Sequence, residues 1–217
     1  MKQKFLILML LACFVLPAQA TDKFYYVDPA LISPEFIAPP IPATTAIIDD
    51  IISRQNKVTD ADLDAITFEA KMRSDMLALN NSMSRKAYPH TYELLDKAGE
   101  DCKTVVSNTK SFWNTDRPYT TDKRIKSLTY LPGNAAYPSG HTACSRVMAE
   151  ILGQLAPSKR AAFRSRAAEI AEHRVMGGLH WPNDLVGGEQ LALLFFGALQ
   201  TSENYQNDLA VAKKEWK

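Results

Sequence analysis

Three stretches of the chain place cations, histidines and one carboxylate at spacings that suit the handling of an oxyanion. The first contains Lys110 and Arg117, which are seven residues apart and are followed at once by Pro118. Seven residues make almost two turns of helix, so the spacing predicts two cations on one face of a helix that ends before the proline. Two cations that face the same way suit a dianion, although such a pair alone is more often an ordinary solvated surface.

The second stretch is Ser139-Gly140-His141, which follows Pro138 and precedes apolar residues at helical spacing. Ser139 is a typical N-cap residue, and Gly140 lets the first backbone N–H groups of the helix approach an anion closely. Unsatisfied amides and the positive end of the helix dipole both favour negative charge there. His141 lies at the rim of this cradle, where an imidazole can give a proton to a leaving oxygen. An ordinary helix start with a surface histidine is the alternative.

The third stretch carries Arg174, His180 and Asp184. A pair of glycines between the first two residues predicts the end of one helix, and Pro182 predicts the start of the next. The chain should therefore turn sharply enough to direct Arg174 and His180 to a common point. Asp184, four residues after His180, can accept a hydrogen bond from one ring nitrogen and leave the other free as a nucleophile.

Together the three stretches match the patterns KxxxxxxRP, PSGH and RxxxxxHxxxD, in that order. The chain resembles the type 2 phosphatidic-acid-phosphatase superfamily and, within it, the bacterial class A non-specific acid phosphatases. The match covers residues 110–184 and depends on eight positions in three ordered blocks. The resemblance implies a single compact helical domain of the acid phosphatase and vanadium haloperoxidase type, with acid phosphatase activity.

The resemblance also implies a role for each matching residue. The residues that bind the phosphoryl group are Lys110, Arg117, Ser139, Gly140 and Arg174. Of the remaining three, His180 attacks phosphorus, Asp184 orients His180, and His141 protonates the leaving alcohol. Water then hydrolyses the phosphohistidine, and neither a metal nor another cofactor is expected, because phosphoryl transfer needs mainly positioning and charge stabilisation.

One position departs from the family pattern. His173 stands before Arg174, where the family usually has serine, so the role of that serine cannot be transferred to this chain. An imidazole near a bound phosphate would add positive charge below about pH 6.5. The alternative is a histidine at the end of a helix that faces solvent.

Residues 1–20 have the pattern of a secretory signal peptide. Two lysines precede an apolar run from Phe5 to Leu16, and Ala18-Gln19-Ala20 matches the small-x-small site that signal peptidase cleaves. The sequence therefore predicts a mature protein that begins near Thr21 and resides in the periplasm. A lipoprotein processing site at Cys13 is the alternative, but the apolar run continues beyond it.

Without residues 1–20 the chain has 197 residues, of which 23 are basic and 24 acidic. This balance predicts neither a nucleic-acid partner nor an anionic membrane surface as a partner. The length suits one domain with a sizeable core. No later apolar stretch approaches the roughly 20 residues that cross a bilayer, so we expect a soluble mature enzyme without a transmembrane span. Assembly into a homo-oligomer stays open.

The chain divides into two parts after the signal sequence. Residues 21–45 contain five prolines and are predicted to form an extended proline-rich arm over the body. Residues 46–217 are predicted to form one all-α phosphatase domain, because helical spacing recurs and no segment alternates as a strand does. Thr59 and Asp62 mark the start of a helix that should reach Leu79. Further helices are predicted at Ile47–Ile52, Tyr92–Leu95, Gly99–Asn114, Ser139–Leu155, Ser158–Val175, Asn183–Leu199 and after Ser202.

Residues 119–137 lack periodicity and join the first two catalytic stretches. A loop of this length inside a compact domain is uncommon and often forms part of a functional site. It carries basic and aromatic residues, among which Tyr130 and Tyr137 are candidates for stacking on a leaving group. Other aromatic residues that flank the motifs are Phe112, Trp113 and Trp181, although aromatic residues beside helices are more often part of the core.

Cys102 and Cys144 are the cysteines that remain after cleavage of the signal peptide. An even count in an oxidising compartment makes a disulfide possible. However, Cys144 is one turn past His141, whereas Cys102 lies about 12 Å along its helix from Lys110. We therefore expect two free, buried thiols.

Other functions fit parts of the same pattern. A metal site would use His173, His180 and Asp184, but their spacing fits no compact zinc signature and three nearby cations oppose a divalent ion. A vanadate-dependent haloperoxidase would hold vanadate where a phosphatase holds inorganic phosphate. A lipid phosphate phosphatase is the runner-up to a phosphatase of small-molecule phosphomonoesters. A pure anion-binding protein would leave His141 and the His180–Asp184 pair without a role.

Overall fold

The computed structural model describes residues 24–79 and 83–216. These ranges contain helices and turns but no β-strand, which confirms the predicted all-α fold. The predicted signal peptide lies outside the described residues. The α-helices are α1 (Thr45–Gln55), α2 (Asp60–Phe68), α3 (Pro89–Trp113), α4 (Pro118–Thr121), α5 (Gly140–Leu155), α6 (Arg160–Met176), α7 (Pro182–Thr201) and α8 (Glu203–Ala212).

Helix α5 is the centre of the core. It packs against α3, α6 and α7, and its side chains are buried almost all round. A helix that is apolar on every face is stable only when other elements surround it. The first residues of α5 form the predicted anion cradle, so the core itself holds the cradle in place.

Helices α3 and α5 run antiparallel and are cross-linked. Near one end, a Cβ added at Gly140 would lie 3.0 Å from Val106. Further along, Cys102 and Cys144 form a disulfide with a Cα–Cα distance of 5.9 Å. The prediction of two free thiols is therefore wrong. Because the helices are antiparallel, one turn forward along α5 from Gly140 to Cys144 corresponds to one turn back along α3 from Val106 to Cys102. The two cysteines therefore lie side by side.

Helix α3 differs from its prediction at both ends. It is one continuous helix from Pro89, and the predicted interruption before Gly99 is absent. At its other end it stops at Trp113, and Asn114 adopts the left-handed conformation with φ of 44°. The prediction that Arg117 and Lys110 share one helix face is therefore wrong. Arg117 lies in the extended segment that caps α4.

Helix α2 begins as predicted, with a capping box between Thr59 and Asp62, but it ends at Phe68 instead of Leu79. The next regular element is a 3-10 turn at Ser74–Leu77. The apolar residues after Phe68 kept a spacing close to helical, so periodicity alone could not reveal that the chain leaves the helix there.

The proline-rich arm contains two short 3-10 turns, Pro29–Leu31 and Pro34–Phe36. Near its start, the buried carboxylate of Asp101 accepts hydrogen bonds from three consecutive backbone amides of residues 25–27, at 2.6 to 3.1 Å. Near its end, the hydroxyl of Tyr137 donates to the carbonyl of Ala38. The arm is therefore bound both to α3 and to the segment that leads into α5.

None of the helices within residues 24–79 and 83–216 combines the length and apolarity that crossing a bilayer requires.

Candidate active site

One cavity of about 560 Å³ collects most of the predicted site residues. The predicted residues that line it are Lys110, Arg117, Gly140, His141, Arg174 and His180. The other two lie directly behind this wall: Asp184 behind His180, and Ser139 behind Gly140. The site thus draws side chains from α3, α5, α6 and the turns before α4 and α7.

His180 and Asp184 form a buried hydrogen-bonded pair. His180 Nδ1 lies 2.9 Å from Asp184 Oδ2, which also accepts the backbone N–H of Trp181 at 3.0 Å. On the cavity side, Arg117 Nη1 lies 3.4 Å from His180 Nε2. Because a guanidinium only donates, this contact assigns the proton of the neutral ring to Nδ1 and the lone pair to Nε2.

Electrostatics favour the neutral form of this imidazole. Burial and the nearby cations, Lys110 first among them, lower the pKa of His180 well below its usual value. Burial also raises the pKa of Asp184. The unprotonated Nε2 therefore faces the cavity as a potential nucleophile.

Lys110 is buried with its amine held by the loop before α5. Its Nζ donates to the carbonyls of Ala135 and Ala136, each at 2.7 Å. Burial and the neighbouring Arg117 lower the pKa of Lys110 to about 7. An ammonium has three donors, so one remains for a ligand in the cavity.

Most hydrogen-bond donors of Arg117 bind the protein itself, and one faces the cavity. Its guanidinium donates to the backbone and side-chain oxygens of Asn134, and to the carbonyls of Ala135 and Leu179, at 2.7 to 3.1 Å. The remaining donor is the one that points towards His180 Nε2. A phosphoryl oxygen between these two groups would accept that hydrogen bond.

Arg174 is the clearest sign that the cavity binds an anion. Its side chain is 1% exposed, yet Nε and Nη1 have no hydrogen-bond partner among the described residues. Burial lowers its pKa to about 10, so the guanidinium stays charged at neutral pH. A buried charge without partners costs several kilocalories per mole unless a ligand supplies them.

The start of α5 has the geometry of an anion cradle. Ser139 Oγ accepts the backbone N–H of Thr142 at 3.3 Å and its hydroxyl at 2.9 Å. The first amides of a helix have no acceptor within the helix, so those of Gly140 and His141 are left for a ligand. Helix α7 supports the cradle from behind, because the carbonyl of Asp184 accepts the N–H of Ser139 at 2.9 Å.

His141 faces the cavity with one nitrogen already committed. Its Nε2 lies 2.9 Å from the backbone oxygen of Glu69, which can only accept, so Nε2 carries a proton. Nδ1 is then the nitrogen that can exchange a proton with a substrate. Burial and Arg174 lower the pKa of His141 in the free site. A bound phosphate dianion would raise that pKa and favour the acid form.

His173 neither lines the cavity nor faces solvent freely. Its Nδ1 lies 2.8 Å from the carboxylate of Glu69, which is fully buried and also binds Arg166 at 2.5 Å. Both earlier interpretations of His173, as a neighbour of the phosphate and as a free surface residue, are therefore wrong. The hypothesis of a metal site on His173, His180 and Asp184 is not supported either. His173 is hydrogen-bonded to Glu69, whereas His180 is hydrogen-bonded to Asp184.

Several supporting residues were missed from the sequence. Glu69 and Asn134 gave no signal, because each acts through contacts that are distant in sequence. The Gly187–Gly188 pair inside α7 was a usable signal. A Cβ at Gly188 would lie 2.7 Å from the carbonyl of Ser139, so only glycine lets α7 approach the cradle this closely.

The long loop contributes to the site in part. Tyr130, Pro132 and Asn134 line the cavity, as the lack of periodicity predicted, whereas the loop cations Lys123 and Arg124 do not. Of the five flanking aromatic residues, only Tyr130 belongs to this lining. The others lie elsewhere: Phe112 is exposed, Trp113 packs on Tyr137, and the indole of Trp181 donates to the carbonyl of Asp116.

Within residues 24–79 and 83–216, no group of three or more His, Cys, Asp or Glu side chains has the arrangement of a metal site.

The part of the chain that forms this site matches a known protein family. Residues 102–208, which include all three motif stretches, match the PAP2 superfamily. The chain therefore contains a PAP2 superfamily domain, and the resemblance seen in the sequence is confirmed.

Named relatives of the chain are acid phosphatases. A non-specific acid phosphatase from Salmonella typhi is 30% identical over 115 residues, which cover 51% of this chain and 46% of the relative. An acid phosphatase from Zymomonas mobilis is 30% identical over 131 residues, or 58% of this chain and 50% of the relative. The chain thus spans about half the length of the curated relatives it matches.

Among solved structures, a bacterial vanadium-dependent iodoperoxidase has a similar fold. The superposition has a TM-score of 0.60 and covers 77% of this chain and 52% of that protein, at 16% identity. This likeness supports the predicted helical fold of the acid phosphatase and vanadium haloperoxidase type.

Proposed function

We propose that this protein is an acid phosphatase that hydrolyses phosphate monoesters through a phosphohistidine on His180, without a metal ion. The observation that carries the proposal is the buried guanidinium of Arg174, whose Nε and Nη1 have no partner among the described residues. A phosphoryl group in the cavity would supply those partners. The acid phosphatase relatives support the same reaction class.

The first chemical step would transfer the phosphoryl group to the enzyme. The lone pair on His180 Nε2 attacks phosphorus, so a P–N bond forms while the bond to the ester oxygen breaks. Protonated His141 gives its Nδ1 proton to that oxygen, which leaves as a neutral alcohol. Arg174, Lys110 and the first amides of α5 stabilise the negative charge on the phosphoryl oxygens.

The second step would release inorganic phosphate. Neutral His141 accepts a proton at Nδ1 from water, whose oxygen attacks phosphorus while the P–N bond breaks and its electron pair returns to His180 Nε2. Asp184 holds the ring in place through both steps, because it accepts from Nδ1 of His180 at 2.9 Å. The cycle returns both histidines to their starting protonation states.

Trapping the covalent intermediate tests this proposal. Wild-type protein is mixed briefly with a phosphate ester that carries labelled phosphorus and is then quenched in alkaline detergent, in which a P–N bond survives. We expect label on the wild-type chain, on the peptide that contains His180. The His180→Ala variant should carry no label and should lose at least about a thousandfold in turnover. Turnover of that variant within about tenfold of wild type would exclude His180 as the nucleophile.

We also propose that the protein is exported to the periplasm. The pattern of residues 1–20 supports export, and so does the Cys102–Cys144 disulfide, because disulfides persist mainly in oxidising compartments. Fractionation of cells that express the full chain tests this, followed by N-terminal sequencing of the recovered protein. A start near Thr21 in the periplasmic fraction is expected, and an uncleaved cytoplasmic product would contradict it.

Three assays separate this function from its alternatives. A phosphatase of soluble esters should hydrolyse p-nitrophenyl phosphate faster than phosphatidic acid in detergent micelles, whereas a lipid phosphatase should show the reverse. Vanadate should inhibit phosphate release; halide oxidation in its presence would indicate a haloperoxidase instead. A chelator should leave the activity unchanged, since the proposed steps use only groups of the protein, the substrate and water.

A further inference from the structure

The mouth of the cavity carries more positive charge than one phosphate needs. Besides the three buried cations, the lining includes the exposed side chains of Lys71, Arg73 and Lys103, and among the described residues it includes no aspartate or glutamate. A phosphate monoester carries at most two negative charges, which the inner cations and the amides of α5 already match. The three outer cations, which we call the basic rim, are left to attract something else.

The basic rim comes from two elements that line the same cavity. Lys103 and Lys110 are seven residues apart on α3, so Lys103 lies about 10 Å towards the start of that helix, on nearly the same face. Lys71 and Arg73 belong to the segment after α2 and line the same cavity. The lining also includes the uncharged side chains of Tyr130 and Pro132.

The segment that carries Lys71 and Arg73 is fixed to the core. Glu69, just before it, is fully buried, and its carboxylate binds Arg166 at 2.5 Å and His173 at 2.8 Å. The guanidinium of Arg73 lies 4.9 Å from the centre of the Phe68 ring. Because these contacts anchor the segment, they hold Lys71 and Arg73 at the cavity.

The carboxylates beside the rim compete only weakly. Lys103 pairs with Glu100 at 2.7 Å and Arg73 pairs with Asp75 at 3.1 Å, whereas Lys71 pairs with no carboxylate among the described residues. Exposed ion pairs of this kind contribute little to stability and are weakened further by salt. A phosphate in a partly enclosed cavity can therefore displace them.

We propose that the basic rim binds a second phosphate on the leaving group, so that the preferred substrates are bisphosphates with a sugar-sized spacer. This inference rests on the proposed function, because it takes the inner site as the place of cleavage. A spacer is needed, because two directly joined phosphates would both lie within reach of the inner cations. The rim would hold the distal phosphate while His180 attacks the inner one.

Binding of a matched pair of ligands tests the rim without relying on catalysis. Fructose 1,6-bisphosphate and fructose 6-phosphate are titrated into the His180→Ala variant by calorimetry at low salt. We expect the bisphosphate to bind about tenfold more tightly, and the advantage to fall as salt screens the rim. In Lys71→Gln and Lys103→Gln, each combined with His180→Ala, the advantage should shrink by about threefold, and in the variant that carries all three substitutions it should be lost. Lys86→Gln, outside the cavity, is the control that should keep it.

The two proposals can fail separately. Equal affinities for the two fructose phosphates, or an advantage that survives loss of both rim lysines, would overturn the second phosphate site. Wild-type protein that does not hydrolyse p-nitrophenyl phosphate would overturn the phosphatase proposal, whatever the binding ratio. A bisphosphate advantage that depends on Lys71 and Lys103 supports the rim in either case.

Discussion

The imidazole of His173 lies 2.8 Å from the buried carboxylate of Glu69, nitrogen Nδ1 to oxygen Oε2. The backbone oxygen of the same glutamate accepts a hydrogen bond from His141 Nε2 at 2.9 Å. His173, the residue that departs from the family pattern, therefore has an indirect role. It binds Glu69, which in turn binds His141, the proposed acid.

Replacing His173 with alanine should weaken this support. The buried carboxylate of Glu69 would lose one of two partners, which should lower the free energy of unfolding by about 1 to 3 kcal/mol. The backbone that positions His141 would be less well fixed, so kcat should fall more for alkyl phosphates than for aryl phosphates, which need less protonation of the leaving group. Urea unfolding and kinetics with both ester types measure the two effects.

The exposed His90 provides a matched control for this variant. His90→Ala should leave the alkyl-to-aryl ratio of kcat unchanged. An equal loss for both ester types in His173→Ala would show that His173 supports stability alone and does not act through His141.

Arg174 should lower the stability of the ligand-free protein while it enables phosphate binding. Arg174→Met removes a buried charge whose Nε and Nη1 have no partner within residues 24–79 and 83–216, so we expect the free energy of unfolding without phosphate to rise by about 1 to 3 kcal/mol. The stabilisation of wild-type protein by added phosphate should disappear in the variant. Urea unfolding with and without phosphate gives both quantities.

Arg166→Met is the matched comparison, because Arg166 pairs with the buried Glu69. Its loss should destabilise the protein by about 1 to 3 kcal/mol, since it leaves a buried carboxylate with a single partner. If Arg174→Met were as destabilising as Arg166→Met, the guanidinium of Arg174 would have unrecognised partners within the protein.

Lys110 should make anion binding depend on pH. Burial and Arg117 lower its pKa to about 7, so the amine is charged below that pH and neutral above it. Sulfate keeps a constant charge over this range, and its affinity should fall about tenfold as the pH rises from about 6 to about 8. Calorimetry at each pH measures the change.

Lys110→Arg separates this effect from other titrations. A guanidinium stays charged throughout, so sulfate affinity should lose most of its pH dependence in the variant. Asp184, whose pKa burial raises, titrates in both proteins and therefore cancels in the comparison. The same pH profile in both proteins would mean that Lys110 does not titrate in this range.

The sequence predicted which residues form the site better than it predicted the tertiary contacts that hold them in place. Chemistry and local turns follow from nearby residues, so the pairing of His180 with Asp184 and the Ser139 cap of α5 could be foreseen. Arg117 was wrongly assigned to the helix of Lys110, because the left-handed residue Asn114 ends α3 before it. Glu69 could not be found, because its role depends on two contacts more than 70 residues away in sequence.

The disulfide is the other feature that spacing along the chain could not reveal, because it depends on the antiparallel packing of α3 and α5. Cys102 and Cys144 are separated by 42 residues, and closing a loop of that size should contribute about 2 to 4 kcal/mol to the free energy of unfolding. We therefore expect dithiothreitol to lower the urea midpoint of wild-type protein. The double variant Cys102→Ser, Cys144→Ser should start from that lower midpoint and should not respond to the reductant. A wild-type midpoint that is the same with and without dithiothreitol, under conditions where thiol titration shows the bond reduced, would mean that the cross-link adds nothing beyond the packing of the two helices.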